Sequence, residues 1–110
     1  MTTIIFERSG SSYRSMTCMG HAGHKRFPLE KDMVCASISV LVINTINGLE
    51  KFTDTKFQVQ TNEETGYIRC EFEGELSSEA RVLMDTLVLG LSDICRQYGR
   101  RYCCIEFKEV

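Results

Sequence analysis

The sequence lacks tryptophan, has one proline and two histidines, and carries no excess of positive charge. Its 13 Lys and Arg residues are outnumbered by 15 Asp and Glu residues, and a net charge of −2 gives no basis for binding nucleic acid. No run approaches the roughly 18 uninterrupted apolar residues of a membrane span. The first residues show neither the basic region nor the apolar run of a secretory signal, so we expect a cytoplasmic protein.

What is present indicates one ordinary globular domain over residues 1–110. Hydrophobic residues make up 43% of the chain and charged residues 25%, which is typical of a folded protein with a real core. The six cysteines fall mostly in apolar segments, where a reduced thiol packs as a small hydrophobe. Without a secretory signal we therefore expect reduced thiols rather than a disulfide framework.

Hydrophobic periodicity predicts five strands and two helices. The strands are expected at residues 3–8, 13–19, 57–61, 67–73 and 102–107. Asp32 is the expected N-cap of the first helix, and Ser77 or Ser78 is that of the second. The second helix is expected to end at Gly99 and to keep one apolar stripe, Leu83, Leu87, Leu91 and Ile94. The apolar residues of the first helix suggest burial on more than one face. The order ββαββαβ predicts an α+β, two-layer sandwich with both helices packed on one mostly antiparallel sheet.

Two short motifs carry chemistry: Gly-His-Ala at 20–22 and Asp-Met-Val-Cys-Ala-Ser-Ile-Ser at 32–39. If Asp32 is the N-cap, Cys35 lies in the first helical turn, where unpaired backbone N–H groups and the helix dipole favour a thiolate. His21, at the end of a strand, is then a candidate general base for that thiol. Ser39 lies one helical turn beyond Cys35 on the same face and is placed to bind the sulfur or a substrate.

The residues themselves leave other interpretations open. A cysteine in an apolar helix and a histidine after a strand are more often structural than catalytic. Cys18, His21, His24 and Cys35 are also four metal-ligand types in one stretch. Their spacing is uncommon for structural zinc, however, and strand alternation places residues 18 and 21 on opposite faces. A thiol redox or metal-sensing domain using Cys18 and Cys35 is a further alternative.

The same motifs resemble those of the ribosomal-processing cysteine protease family, Prp. Members carry a Gly-His-Ala element, a short loop, and an Asp-x-Val-Cys-Ala segment that opens a helix. In this chain they match residues 20–22 and 32–39, and residues 44–50, Asn-Thr-Ile-Asn-Gly-Leu-Glu, are also similar. The resemblance extends over nearly the whole chain, including the order of its elements.

The resemblance implies a cytoplasmic bacterial endopeptidase that removes the N-terminal extension of a large-subunit ribosomal protein, cutting after an aromatic pair. Cys35 would be the nucleophile and His21 the general base and later general acid, while Gly20, Asp32 and Ser39 match supporting positions. Backbone N–H groups at the helix start are the expected oxyanion donors. Family members form homodimers, and no cofactor, metal, nucleic acid or membrane is implied.

The chain departs from the family in the loop at residues 22–31. This loop is slightly longer than usual, contains Pro28 and basic residues, and lacks the glycine usually found shortly before Asp32. Movement of this loop over the peptide, which the resemblance implies, is the property most affected by these changes. The alternative function is a non-catalytic, ribosome-associated module that keeps the fold and binds a peptide without cutting it.

Overall fold

Two helices cover one face of a five-stranded sheet. The computed structural model describes residues 1–20 and 29–110, and only the backbone of residues 29–32. The elements follow the predicted order, with the bounds β1 Thr2–Ser9, β2 Ser12–Met19, α1 Leu29–Phe52, β3 Phe57–Asn62, β4 Tyr67–Phe72, α2 Ser78–Tyr98 and β5 Cys103–Glu109. The predicted α+β two-layer sandwich is therefore confirmed.

The strands lie in the order β3-β4-β2-β1-β5. The pairs β1–β2, β2–β4 and β3–β4 are antiparallel, whereas β5 runs parallel to β1. The sheet is mixed but mostly antiparallel, as predicted. Thr2 pairs with Cys103 of β5, and the next residue, Thr3, pairs with Met19 of β2. The first residues of the chain are thus held between two strands.

Alternation along the strands separates an apolar inner face from a polar outer face. The inner face and the helices form one core, which includes Ile4, Phe6, Met16, Cys70, Phe72, Val34, Ile38, Met84, Leu87 and Leu91. On the outer face Ser15 donates a hydrogen bond to Glu7, and Arg69 donates to both Glu7 and Thr17. The hydrogen bond from Ser15, supported by Arg69, lowers the pKa of the Glu7 carboxyl.

Helix α2 begins and ends as predicted. The Ser77 hydroxyl is its N-cap and accepts a hydrogen bond from the Ala80 amide, and Gly99 is the C-cap. Its fully buried stripe consists of Ala80, Met84, Leu87 and Leu91. The predicted stripe shared Leu87 and Leu91 with it and also included Leu83 and Ile94, which are partly buried against the core.

Helix α1 differs from prediction in its start and its exposure. It begins at Leu29, so Asp32 is its fourth residue and not its N-cap. Leu29, Glu30 and Lys31 are strong helix formers that extend the helix upstream of the best cap residue. Met33, Val40 and Ile43 are 51%, 66% and 48% exposed, so a second apolar face of α1 is not covered by the described residues, 1–20 and 33–110.

By length and composition, α1 also resembles a membrane helix. The segment Met33–Phe52 reaches a mean hydropathy of 1.5 and is 28% buried. Its apolar run is interrupted by serine, threonine and asparagine. Val34, Ile38, Val42 and Leu49 belong to the core that the helices share with the sheet. Long helices that belong to a folded core meet the same length and hydropathy criteria as membrane spans.

The expectation of six reduced cysteines is wrong for two of them. Cys95, near the end of α2, forms a disulfide with Cys103 at the start of β5, and the Cα atoms are 5.3 Å apart. The turn after α2 at Gly99 brings these residues together, which sequence spacing of eight residues did not reveal. Cys18, Cys35, Cys70 and Cys104 are free thiols. The neighbours Cys103 and Cys104 differ in environment: Cys103 is buried and Cys104 half-buried.

Candidate active site

The Cys35 thiol lies at the interface between α1 and the first residues of β1. Cys35 is 4% exposed, and its Sγ atom is 3.6 Å from the Oγ1 atom of Thr2, which is 1% exposed. Either atom can be the donor of this hydrogen bond. The candidate nucleophile is therefore a buried, free thiol whose hydrogen-bond partner comes from a strand.

The start of α1 changes the predicted electrostatics of this thiol. Cys35 is the seventh residue of the helix, and its amide is in position to bond to the carbonyl of Lys31 within the helix. Unpaired N–H groups are confined to the first four positions, and the dipole effect fades beyond the first turn. The predicted position of Cys35 in the first helical turn after an Asp32 N-cap is therefore wrong. The expected oxyanion donors, the backbone N–H groups at the helix start, belong to the first turn after Leu29 rather than to Cys35, and their role stays a prediction.

Gly20 is explained by a close backbone approach. Its φ of +79° lies in the region that only glycine adopts at little cost. A Cβ atom at this position would collide with the carbonyl oxygen of Met1 and lie 3.7 Å from the Cα of Thr2. Gly20 thus packs directly beside Thr2, the strand residue that contacts Cys35. This contact gives a physical reason for the supporting role predicted for Gly20.

Two predicted site residues fall outside what the structure describes. His21 belongs to residues 21–28, which the structure does not describe, and only the backbone of Asp32 is described. The pairing of His21 with Cys35 remains a prediction.

Ser39 lines a groove between α1 and the β3–β4 hairpin. This groove has a volume of about 370 Å³, and its walls are mostly apolar: Ile43 and Ile46 on α1 face Val59, Tyr67 and Ile68 of the hairpin. Cys35 precedes Ser39 by one helical turn. Ser39 therefore lines this groove, whereas the hydrogen-bond partner that the structure gives the Cys35 sulfur is Thr2.

Cys18, the other thiol of the alternative interpretations, is an inner-face residue of β2 that pairs with Ile4. Burial raises its pKa to about 11, and the nearby Cys35 adds to this shift. Residues 1–20 and 29–110 contain no cluster of three or more histidine, cysteine or acidic side chains able to hold a metal ion. His21 and His24 of the alternative zinc site lie outside these ranges.

Sequence reasoning missed Thr2 and the groove. The signal for Thr2 is its phase: it alternates with Ile4 and Phe6, the inward-facing residues of β1, so a hydroxyl in that row must point into the core. The sequence carries no comparable signal for the groove, because the width of the groove is set by the distance between the β3–β4 hairpin and α1 in the folded protein.

Comparison with known proteins identifies the same family over most of the chain. The family model described as cysteine protease Prp matches residues 1–103. No curated protein matches the sequence.

Solved structures share the fold at low sequence identity. The ribosomal processing protease Prp from S. aureus, in complex with a substrate peptide, is 18% identical with a TM-score of 0.87, over 98% of this chain and all of that one. The same enzyme with a covalently linked product peptide has a TM-score of 0.85 at 19% identity, with the same coverage of both chains. SMU.848 from Streptococcus mutans is 23% identical with a TM-score of 0.89, over all of this chain and 96% of that one.

Proposed function

We propose, from the premise that this chain belongs to the cysteine protease family Prp, that it is an endopeptidase with a Cys35–His21 dyad. The observation that carries the proposal is the position of the Cys35 thiol. It lies against Thr2, and Gly20, from which the chain continues to His21, packs on the backbone of Met1 and Thr2. A free thiol and the residue preceding an imidazole thus converge on the same two residues.

In the proposed reaction the Cys35 thiolate attacks the scissile carbonyl carbon and forms a tetrahedral intermediate. Collapse of the intermediate breaks the C–N bond, and imidazolium His21 gives its proton to the leaving amine. The product held on the enzyme is a thioester. Neutral His21 then takes a proton from water as the water oxygen attacks the thioester. Collapse of this second intermediate releases a carboxylic acid and the Cys35 thiolate, and leaves His21 as imidazolium.

The proposed substrate is the N-terminal extension of a large-subunit ribosomal protein. The similar enzyme from S. aureus is a ribosomal processing protease with structures bound to substrate and product peptides. In this chain, the groove beside Ser39 has apolar walls and an open, half-exposed edge at Val59 of β3. Such a groove suits the aromatic side chains of an extended peptide. Because a ribosomal protein is the substrate, we propose that the enzyme acts in the cytoplasm.

We also propose that the enzyme is a homodimer. The helix layer carries large apolar side chains that the described part of the chain leaves exposed: Met33, Val40 and Ile43 of α1, and Val82 and Leu89 of α2. A second copy would bury them. Light scattering coupled to size exclusion tests this proposal: a mass twice that of the 12.6-kDa chain is expected, and Val40→Glu should reduce it toward the monomer.

The test of the protease proposal is cleavage of that N-terminal extension, followed by mass spectrometry. We expect a single cut by the wild type and none by Cys35→Ala or His21→Ala. The matched control is Cys104→Ala, which removes a half-buried free thiol from β5 and should leave cleavage unchanged. Peptide binding without any cut would instead identify a non-catalytic peptide-binding module. Loss of titratable thiols from Cys18 and Cys35, or stoichiometric zinc, would favour the sensing alternative.

A further inference from the structure

The hydroxyl of Thr2 is the feature that the dyad alone does not explain. Its Oγ1 atom is 3.6 Å from the Cys35 sulfur, and both side chains are buried. Burying a hydroxyl without a hydrogen bond costs free energy. Within the described part of the chain, the sulfur is the partner that the structure gives this hydroxyl.

The position of Thr2 is fixed by its backbone on both sides. Its amide donates a 2.9 Å hydrogen bond to the carbonyl of Tyr102, and Thr2 pairs with Cys103 in the parallel β1–β5 ladder. On the other side, the Cα of Gly20 packs close enough that an added Cβ would meet the Thr2 backbone. Because Cys103 is tied to α2 through its disulfide to Cys95, the strand that holds Thr2 is itself anchored.

The chemistry of the site requires a donor at this point. A thiolate accepts hydrogen bonds but cannot donate them, so the freely rotating hydroxyl must donate once Cys35 ionises. Helix α1 begins two turns earlier and offers no unpaired N–H group at Cys35. Burial raises the pKa of two other thiols of this core, that of Cys18 to about 11 and that of Cys70 to about 12.

We propose that Thr2 is a positioning residue of the reaction, whose hydroxyl donates a hydrogen bond to the Cys35 thiolate and so stabilises the attacking form of the nucleophile. The proposal rests on the proposed function in which Cys35 is the nucleophile. In this proposal a residue of β1 stabilises the Cys35 thiolate, whereas the sequence predicted that the N-terminus of α1 would do so.

The experiment measures the rate at which iodoacetamide alkylates Cys35 as a function of pH, with each cysteine-containing peptide resolved by mass spectrometry. Thr2→Val keeps the shape and β-branching of the side chain but removes the hydroxyl. We expect it to move the midpoint of the alkylation profile upward by about one pH unit, and to slow alkylation by about tenfold at pH values well below the wild-type midpoint. Thr2→Ser, which keeps the donor, should restore the wild-type midpoint.

Thr3→Val is the matched control, because Thr3 is the next residue of β1, half-buried on the opposite face of the sheet. It should leave the midpoint unchanged. Should Thr2→Val fail to fold, Thr2→Ala removes the same hydroxyl and is measured in its place. A midpoint equal to that of the wild type in a folded variant lacking the hydroxyl overturns the proposal.

Alkylation does not depend on cleavage, so the two proposals fail separately. An unmoved midpoint in an enzyme that Cys35→Ala inactivates would overturn only the role of Thr2. A shifted midpoint in a protein that cuts no peptide would support the hydroxyl–sulfur hydrogen bond and overturn the protease proposal.

Discussion

Gly20→Ala tests whether the close approach of Gly20 to Met1 supports the site. Two costs add at this position. An alanine with a φ of +79° costs about 1–2 kcal/mol relative to glycine. The added methyl group also collides with the Met1 carbonyl, so the end of the β1–β2 ladder must move apart, which costs about one or two backbone hydrogen bonds of ~1 kcal/mol each. Together these give a loss of about 3 kcal/mol in the free energy of unfolding.

Gly10→Ala isolates the first of these costs. Gly10 has a φ of +63°, and a Cβ atom there would meet nothing within 4 Å. This variant should lose only the backbone term of about 1–2 kcal/mol. The difference between the two variants, about 1–2 kcal/mol, therefore measures the contact with Met1 alone.

Urea unfolding monitored by circular dichroism gives both free energies, and peptide cleavage gives the effect on activity. Because displacement of Met1 moves its neighbour Thr2 away from Cys35, we expect Gly20→Ala to lower kcat while Gly10→Ala leaves it unchanged. A stability loss in Gly20→Ala no greater than that in Gly10→Ala would refute the reasoning, since no collision would then have been felt.

Three further predictions concern other parts of the fold. Reducing the Cys95–Cys103 disulfide reopens a loop of eight residues, so the free energy of unfolding in urea should fall by about 2.5 kcal/mol. Val59→Lys places a charge at the apolar groove, and KM for the peptide should rise at least about tenfold while stability stays within ~0.5 kcal/mol. The pKa of Glu7 is lowered in the folded protein, so its contribution to stability is present above pH 4.5 and is lost as the pH falls through the lowered value. Glu7→Gln should therefore make the free energy of unfolding fall less steeply with decreasing pH in this range.

Each of these has its own control. Cys104→Ala should leave the effect of reductant on unfolding unchanged, because Cys104 is a free thiol. Val110→Lys introduces the same charge at a 62% exposed position away from the groove and should not change KM. Equal unfolding midpoints with and without reductant would contradict the disulfide prediction. An unaltered KM in Val59→Lys would contradict the groove prediction. An acid limb as steep in Glu7→Gln as in the wild type would contradict the Glu7 prediction.

The fold was largely predictable because local signals and tertiary contacts agree. Alternation of Cys70 and Phe72 with Arg69 and Glu71 identified a sheet with one polar face, and Ser77 and Gly99 marked the ends of α2. The start of α1 was not predictable from the cap rule. Leu29 begins the helix although Asp32 is the better cap, since helix propensity continues through the intervening residues.

The candidate site was only partly predictable. Motif spacing selected Cys35, and the structure adds the close approach that requires glycine at position 20. The partner of the thiol, Thr2, is 33 residues away in sequence and is brought to it by the packing of α1 on β1. Such a contact leaves no local pattern, and the same is true of the Cys95–Cys103 pair.

The disulfide places opposite demands on the redox conditions of an assay. A reductant keeps a nucleophilic thiol such as Cys35 in its active form, yet the same reagent opens the link between α2 and β5. Cys103 is the ladder partner of Thr2, so opening this link loosens the strand beside the nucleophile. Activity should therefore pass through a maximum as reductant is added. Preparations stored with and without reductant will differ even when their free thiols are equally intact.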